Sequence, residues 1–312
     1  MIPESAAFHA YVEPARRGGA WWRVLLGVMA IVGTWFGVSI GLAALIGAGA
    51  LAPLGLDPEA AMAMGGGGRV MPPGGVVVFL LTFLGLWAGL WVAVRLIHRR
   101  PFGTLFHPVR RRPGGGPLMR GAALALAFYG VSLLAYVAVM GAPARSALPL
   151  SLWAVWIVPI VVCIGVQATA EELLMRGYLL QHFAVWSRNP VVWAVVPSLI
   201  FAALHYDGGM EAGMLWRMLV HILIFAFIAA ALVWRTGGLG AAVGLHVTNN
   251  IFAICAVGME GSALGFELWL FPADTLQRMF AFDLALGALM LAGVFVLFGP
   301  EPEREPGRGR ET

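Results

Sequence analysis

Apolar stretches long enough to cross a bilayer recur along this whole chain, and they leave very few folds open to it. They run at roughly 22–50, 75–97, 119–140, 151–180, 190–206, 217–234, 238–257 and 279–299. In hydrocarbon every backbone N–H and C=O must be satisfied internally, which restricts spanning structures to helices and closed barrels. Runs of about 18 or more apolar residues read as helices. The expected fold is therefore an all-α polytopic membrane protein with about eight transmembrane helices, any active site lying inside the helix bundle. Charge supports this: only 12% of the 312 residues are charged, roughly half the share typical of a soluble domain.

The chain divides into an N-terminal segment (1–20), a membrane domain (21–299) and a polar Pro/Gly-rich tail (300–312) that reads as disordered. The stretch 51–74, with GGGG at 65–68 and PPGG at 72–75, reads as a loop. The first apolar run is too long for the core of a secretion signal, so it is expected to remain as a helix. Cys163 and Cys255 both fall in apolar segments and read as small buried side chains.

All 20 basic residues are arginine, and their placement carries the topology. Arg16, Arg17 and Arg23 flank the first span, and Arg95, Arg99, Arg100, Arg110, Arg111, Arg112 and Arg120 follow the second. Arg188, Arg235 and the tail arginines Arg304, Arg308 and Arg310 fall on the same side. The alternate loops hold only Arg69, Arg145, Arg217 and Arg278. The positive-inside rule then puts both termini in the cytoplasm. The lysine-free, Ala- and Gly-rich composition fits a bacterial inner membrane. Basicity of this kind orients a membrane protein and gives no reason to expect nucleic acid as a partner. Membrane lipid is the expected surrounding partner.

Three polar clusters interrupt the late spans. The stretch ATAEELLMRGYLL (168–180) carries Glu171, Glu172 and Arg176; FAALHYD carries Phe201 and His205; GLHVTNN carries His246 and Asn250. A spacing of four residues puts two side chains on one helix face. Glu172 is thus set to pair with Arg176, while Glu171, rotated by about 100°, is free to face something else. Counting ~1.5 Å per residue from the turn near SRNP, Glu171 and His205 lie at about the same level, ~25 Å from it. His246 matches that level if the fourth and fifth helices protrude as a hairpin from the bilayer.

Such a set has a coherent chemistry. A carboxylate in an apolar wall has its pKa raised by desolvation and becomes a competent general base. An imidazole can polarise water or donate a proton, and a His/Asn pair can donate to a developing oxyanion. No serine or cysteine nucleophile stands beside these groups. Hydrolysis of an amide by activated water fits. Glu171, His205 and His246 could also ligate a divalent metal such as zinc, so the cofactor is either such a metal or none.

The ordered motifs EELLMR, FAALH and HVTNN resemble the E-E-x-x-x-R, F-x-x-x-H and H-x-x-x-N motifs of the CPBP (ABI) intramembrane protease family, which includes the type II CAAX prenyl endopeptidases and bacteriocin self-protection proteins. The resemblance covers about residues 150–260. It implies that Glu171 activates water with His205 assisting, that Glu172 and Arg176 support it, and that His246 and Asn250 stabilise the oxyanion. It also implies a peptide or protein substrate at the membrane, lipidated or not; a bacterial cell need not contain prenylated CAAX proteins, so that specificity is not carried over.

Other polar residues have plainer readings. His221 reads as a packed or hydrogen-bonded helix residue, His98 and His107 as interfacial, and His182 as surface. Asp283 is expected to reach the interface or Arg278, and Asn249 to hydrogen-bond between helices. Trp21, Trp22, Trp87, Trp91, Trp153 and Trp156 read as anchors near span ends. The alternatives to an enzyme are a non-catalytic immunity or scaffold protein and, without evident internal repeats to favour it, an ion-coupled transporter.

Overall fold

A computed structural model describes residues 6–54, 56, 71–262 and 264–299. The glycine run at 65–68, the tail at 300–312, and Arg69, Arg304, Arg308 and Arg310 lie outside the described residues. The protein is an all-α polytopic membrane protein. A short helix, α1 (Ala6–Arg16), precedes six helices long and apolar enough to cross a membrane: α2 (Trp21–Gly47), α3 (Pro73–Ile97), α4 (Gly115–Met140), α5 (Leu150–Trp186), α7 (Ala212–Thr236) and α9 (Thr275–Leu297). Between them lie two shorter apolar helices, α6 (Val191–Ala203) and α8 (Gly240–Ala256).

All eight apolar runs are thus helical; six are long and apolar enough to cross a membrane, while α6 and α8 are shorter. The PPGG stretch is not all loop. Pro73, Gly74 and Gly75 form the first turn of α3, where proline costs nothing because the first amides of a helix have no intrahelical acceptor. The outward faces of the helices are greasy: Phe36, Ile40, Leu134 and Val155 are all more than half exposed. This is the face a lipid-embedded helix presents.

The connections sort to two ends. At one, the Trp186 indole donates to Gly19 O, the amide of Leu239 donates to Phe106 O, and the Tyr11 hydroxyl donates to Leu105 O. This end holds the arginine-rich loop after α3. Helix α1, which no apolar pattern announced, seals it with Phe8, Tyr11, Val12 and Ala15. His98 and His182 are buried here, not interfacial and surface as their polarity suggested. Their rings pack 4.4 Å apart, and His98 also contacts the Tyr178 hydroxyl and Gly18 O. Burial lowers the His98 pKa to about 4, so it stays neutral under ordinary conditions. At the opposite end, β1 (Ala144–Arg145) pairs antiparallel with β3 (Trp269–Phe271), which pairs parallel with β2 (Val257–Met259).

At ~1.5 Å per residue the 37-residue α5 is about 55 Å long, far beyond a ~30 Å hydrocarbon core. The α4–α8 contact is backbone-close. A Cβ on Gly121 of α4 would press on the Ala241 carbonyl, and one on Gly244 of α8 would press on the Leu118 carbonyl. Gly244→Ala is therefore expected to cost about 1–3 kcal/mol by overpacking. Gly165→Ala, whose Cβ meets nothing within 4 Å, is expected to be neutral or stabilising, since alanine is the better helix former. Thermal unfolding of the two variants in detergent checks the contrast.

Candidate active site

Glu171 and Glu172 close the α-helical part of α5, and a π-helical turn, Leu173–Leu179, follows at once. Such turns inside an α-helix are rare and frequent at functional sites. Arg176 lies within this turn, so the charged triplet sits where the helix is locally widened.

Glu172 is fully buried and Arg176 is 2% exposed. The Arg176 guanidinium donates through Nη1 to Glu172 Oε1 at 2.9 Å and through Nη2 to the Ala226 carbonyl of α7 at 3.1 Å. Its flat face covers the Phe201 ring at 4.8 Å. The same Glu172 oxygen accepts from His246 Nδ1 at 2.8 Å. His246 then turns its other nitrogen to Glu171: Nε2 lies 3.4 Å from Oε2. Because Nδ1 donates to an acceptor-only carboxylate, a neutral ring leaves Nε2 as a lone pair facing a second carboxylate. Across that 3.4 Å gap Glu171 Oε2 has no hydrogen-bond partner among the described residues.

The neighbouring glutamates diverge as their rotation around the helix requires. Glu171, with Gln167, His205, His246, Asn249 and Asn250, borders a cavity of about 250 Å³. Glu172 and Arg176 lie behind its wall. His205 stands just past the end of α6, its Nδ1 2.8 Å from the carbonyl of Phe201. A carbonyl only accepts, so Nδ1 carries the hydrogen and Nε2 of the neutral ring is the acceptor.

A hydrogen-bond relay crosses the other wall. The Tyr129 hydroxyl donates to Asn249 Oδ1 at 2.7 Å, Asn249 Nδ2 to Asn250 Oδ1 at 2.8 Å, and Asn250 Nδ2 to Gln167 Oε1 at 2.8 Å. Gln167 was not singled out from the sequence, although its signal was there: a lone amide in an apolar run, one turn before Glu171. Tyr129, on α4, had no local signal at all.

Asp283 differs most from its plain reading, whereas His221 is hydrogen-bonded within its helix as expected. Asp283 is 4% exposed and does not pair with Arg278 among the described residues. Its Oδ2 accepts from the Tyr136 hydroxyl at 2.7 Å and contacts His221 Nε2 at 3.2 Å, while His221 Nδ1 lies 2.9 Å from Arg217 O. Both residues border the cavity. Among the described residues no three His, Cys, Asp or Glu side chains are grouped to hold a metal ion. Glu171, His205 and His246 line one cavity without forming such a centre, and His246 Nδ1 is already committed to Glu172.

The fold and this polar interior define a multi-pass integral membrane protein with a carboxylate–imidazole site inside its bundle. Comparison with known proteins narrows the class. Residues 149–252, a third of the chain, match the family described as type II CAAX prenyl endopeptidase Rce1-like. That segment holds all three motifs, so the resemblance they suggested and the family match fall on the same residues. Over 178 residues the chain is 27% identical to the uncharacterized protein YyaK of Bacillus subtilis (strain 168). The match takes in 57% of this chain and spans 59% of the length of that curated relative. No solved structure matches.

The buried pair gives a direct expectation. Arg176→Ala strands the Glu172 carboxylate without its cation and should cost about 3–5 kcal/mol, whereas replacing both partners by apolar residues of similar volume should restore much of that. Thermal unfolding of Arg176→Ala and of the double variant Glu172→Leu/Arg176→Met in detergent measures the difference.

Proposed function

We propose that the protein is an intramembrane endopeptidase of a bacterial inner membrane, with both termini cytoplasmic, hydrolysing a peptide bond of a membrane-associated substrate through water activated by Glu171. The observation that carries the reading is one cavity bordered by the Glu171 carboxylate, the His205 imidazole and the Asn250 amide, with the Glu172–Arg176 pair behind it. Its place within the Rce1-like segment adds support.

In this reading Glu171 takes a proton from water as the water oxygen bonds to the scissile carbonyl carbon. The acceptor nitrogen of His205 orients that water. The carbonyl oxygen gathers negative charge and is met by the free N–H of Asn250 Nδ2 and, with the ring as imidazolium, by the N–H of His246 Nε2, donors of the kind that stabilise oxyanions. The C–N bond then breaks as Glu171 passes its proton to the departing nitrogen, leaving a new carboxyl group and a new amine. Glu172 and Arg176 do not meet the substrate; they hold His246 in register. No step here is routed through a metal, and elemental analysis of active protein with chelator controls tests that choice.

Glu171→Ala and His205→Ala are each expected to lower kcat by about 10²–10⁴-fold, and Asn250→Ala by about 10²–10³-fold. The assay is cleavage of fluorogenic membrane peptides by purified protein, with and without a prenyl group, so that lipid preference is read in the same experiment. Undiminished turnover in Glu171→Ala sinks the mechanism. A Glu171→Gln chain that keeps a cellular phenotype with its fold intact turns the reading to a binding or scaffolding role. Comparing membrane peptides by mass spectrometry in wild-type and Glu171→Ala cells identifies the substrate.

A further inference from the structure

At the sheet end the bundle holds a second and larger cavity of about 740 Å³. Tyr129, His221 and Asp283 border both cavities, so the two adjoin. Met210, Met214, Met218 and Met259 line the larger one; methionine is unbranched and adapts to varied apolar shapes. Its charged lining has one sign. Glu211, Glu260, Glu267 and Asp283 border it, and among the described residues no arginine does.

Three of these four carboxylates are accounted for. Glu211 accepts from the amides of Gly213 and Met214 at the start of α7. Asp283 is committed to Tyr136 and His221, and Glu260 is exposed. Glu267 is not accounted for. It is 3% exposed, its Oε1 accepts the Ser262 hydroxyl at 2.6 Å, and its Oε2 has no hydrogen-bond partner among the described residues. The Ser132 hydroxyl, 6% exposed and also bordering the cavity, has no partner either. The chain makes room for this acid: a Cβ on Gly258 of β2 would lie 2.7 Å from Glu267 Cγ. Burial pushes the Glu267 carboxyl above the usual carboxylate range, against the pull of the Ser262 hydroxyl. An unpaired buried carboxylate is costly, and a cation brought into the cavity removes that cost.

We propose that the larger cavity binds an apolar stretch of the polypeptide substrate and that Glu267 anchors one basic side chain of that stretch through Oε2. The proposal rests on the endopeptidase reading and specifies its substrate class: a membrane-associated segment in which an arginine or lysine interrupts apolar residues. Glu267 and Met259 lie outside the Rce1-like segment, so this preference belongs to the chain's own sheet end.

The test reads binding without turnover. Full-length Glu171→Gln protein in detergent is titrated with a labelled Leu/Ala peptide carrying one central arginine, and with the same peptide carrying neutral citrulline. The arginine peptide is expected to bind at least tenfold more tightly, and adding Glu267→Gln is expected to bring it to the citrulline level. Equal binding of the two peptides overturns the proposal, as does a preference that survives Glu267→Gln. A diazirine residue placed beside the arginine supplies a second measurement that needs no change at Glu267. Labelling within 257–271 is expected, and labelling confined elsewhere overturns the proposal. Arginine preference in a chain that cleaves nothing in any assay counts against the endopeptidase reading alone.

Discussion

The Glu172–Arg176 pair has to be buried in an apolar bundle, and the way its cost is met fixes much else in the protein. Removing either charge from water costs several kcal/mol even after relaxation, and the Coulomb attraction returns that only with good geometry and further hydrogen bonds. Here those extra contacts come from three other helices. Phe201 of α6 lies under the guanidinium, Ala226 of α7 accepts from it, and His246 of α8 donates to the carboxylate. A pair formed within one helix therefore sets the relative position of four, and the cavity lies among those helices. Gly121 and Gly244 let α4 and α8 approach closely enough to hold His246 at that distance.

Against this frame, the adjacent carboxylate is left in a different state. Glu171 differs from Glu172 by one residue and about 100° of rotation, yet among the described residues it has no arginine and no hydrogen-bond donor on Oε2. Its neighbours are the His246 nitrogen left over from the pair, His205 and the Gln167 amide. The buried ion pair thus does two things at once: it orients the imidazole, and it directs the Arg176 hydrogen bonds to Glu172 and Ala226, with none to Glu171 among the described residues. The neighbour keeps its capacity to accept a proton. In the proposed mechanism, chemistry and support come from the same dipeptide because helix geometry sends its two side chains apart.

Hydropathy made the eight helical runs legible, and spacing of four residues made legible which charged groups share a face. Neither rule reaches further. Whether a run spans depends on where its cap and turn residues fall, so α6 and α8 looked like their longer neighbours. Helix α1 has only four buried residues, too weak a stripe to stand out beside apolar runs of 20 or more residues. His98, His182 and Asp283 depart from their plain readings for a common reason. Each is polar, with water as its default partner, but each finds contacts on segments dozens of residues away. Tyr129 and Tyr136 in α4 carried no pattern because a tyrosine in an apolar helix is ordinary until an asparagine or aspartate faces its hydroxyl.

The two helices that fall short of spanning length also hold most of the site. His205 follows the last turn of α6, and His246 and Asn250 lie on α8. Any helix end leaves terminal carbonyls without intrahelical partners, and in a membrane protein irregular backbone is best tolerated where it is buried in protein or lines a polar cavity. Both conditions are met beyond α8, where the chain turns into β2 and pairs with β3. Past α6, the chain turns toward Glu211, which caps α7. Shortening these two helices therefore does more than leave a gap in the bundle. It creates an interior volume, gives that volume polar walls, and frees a histidine from helical constraint beside the one carboxylate that the ion pair leaves unmatched.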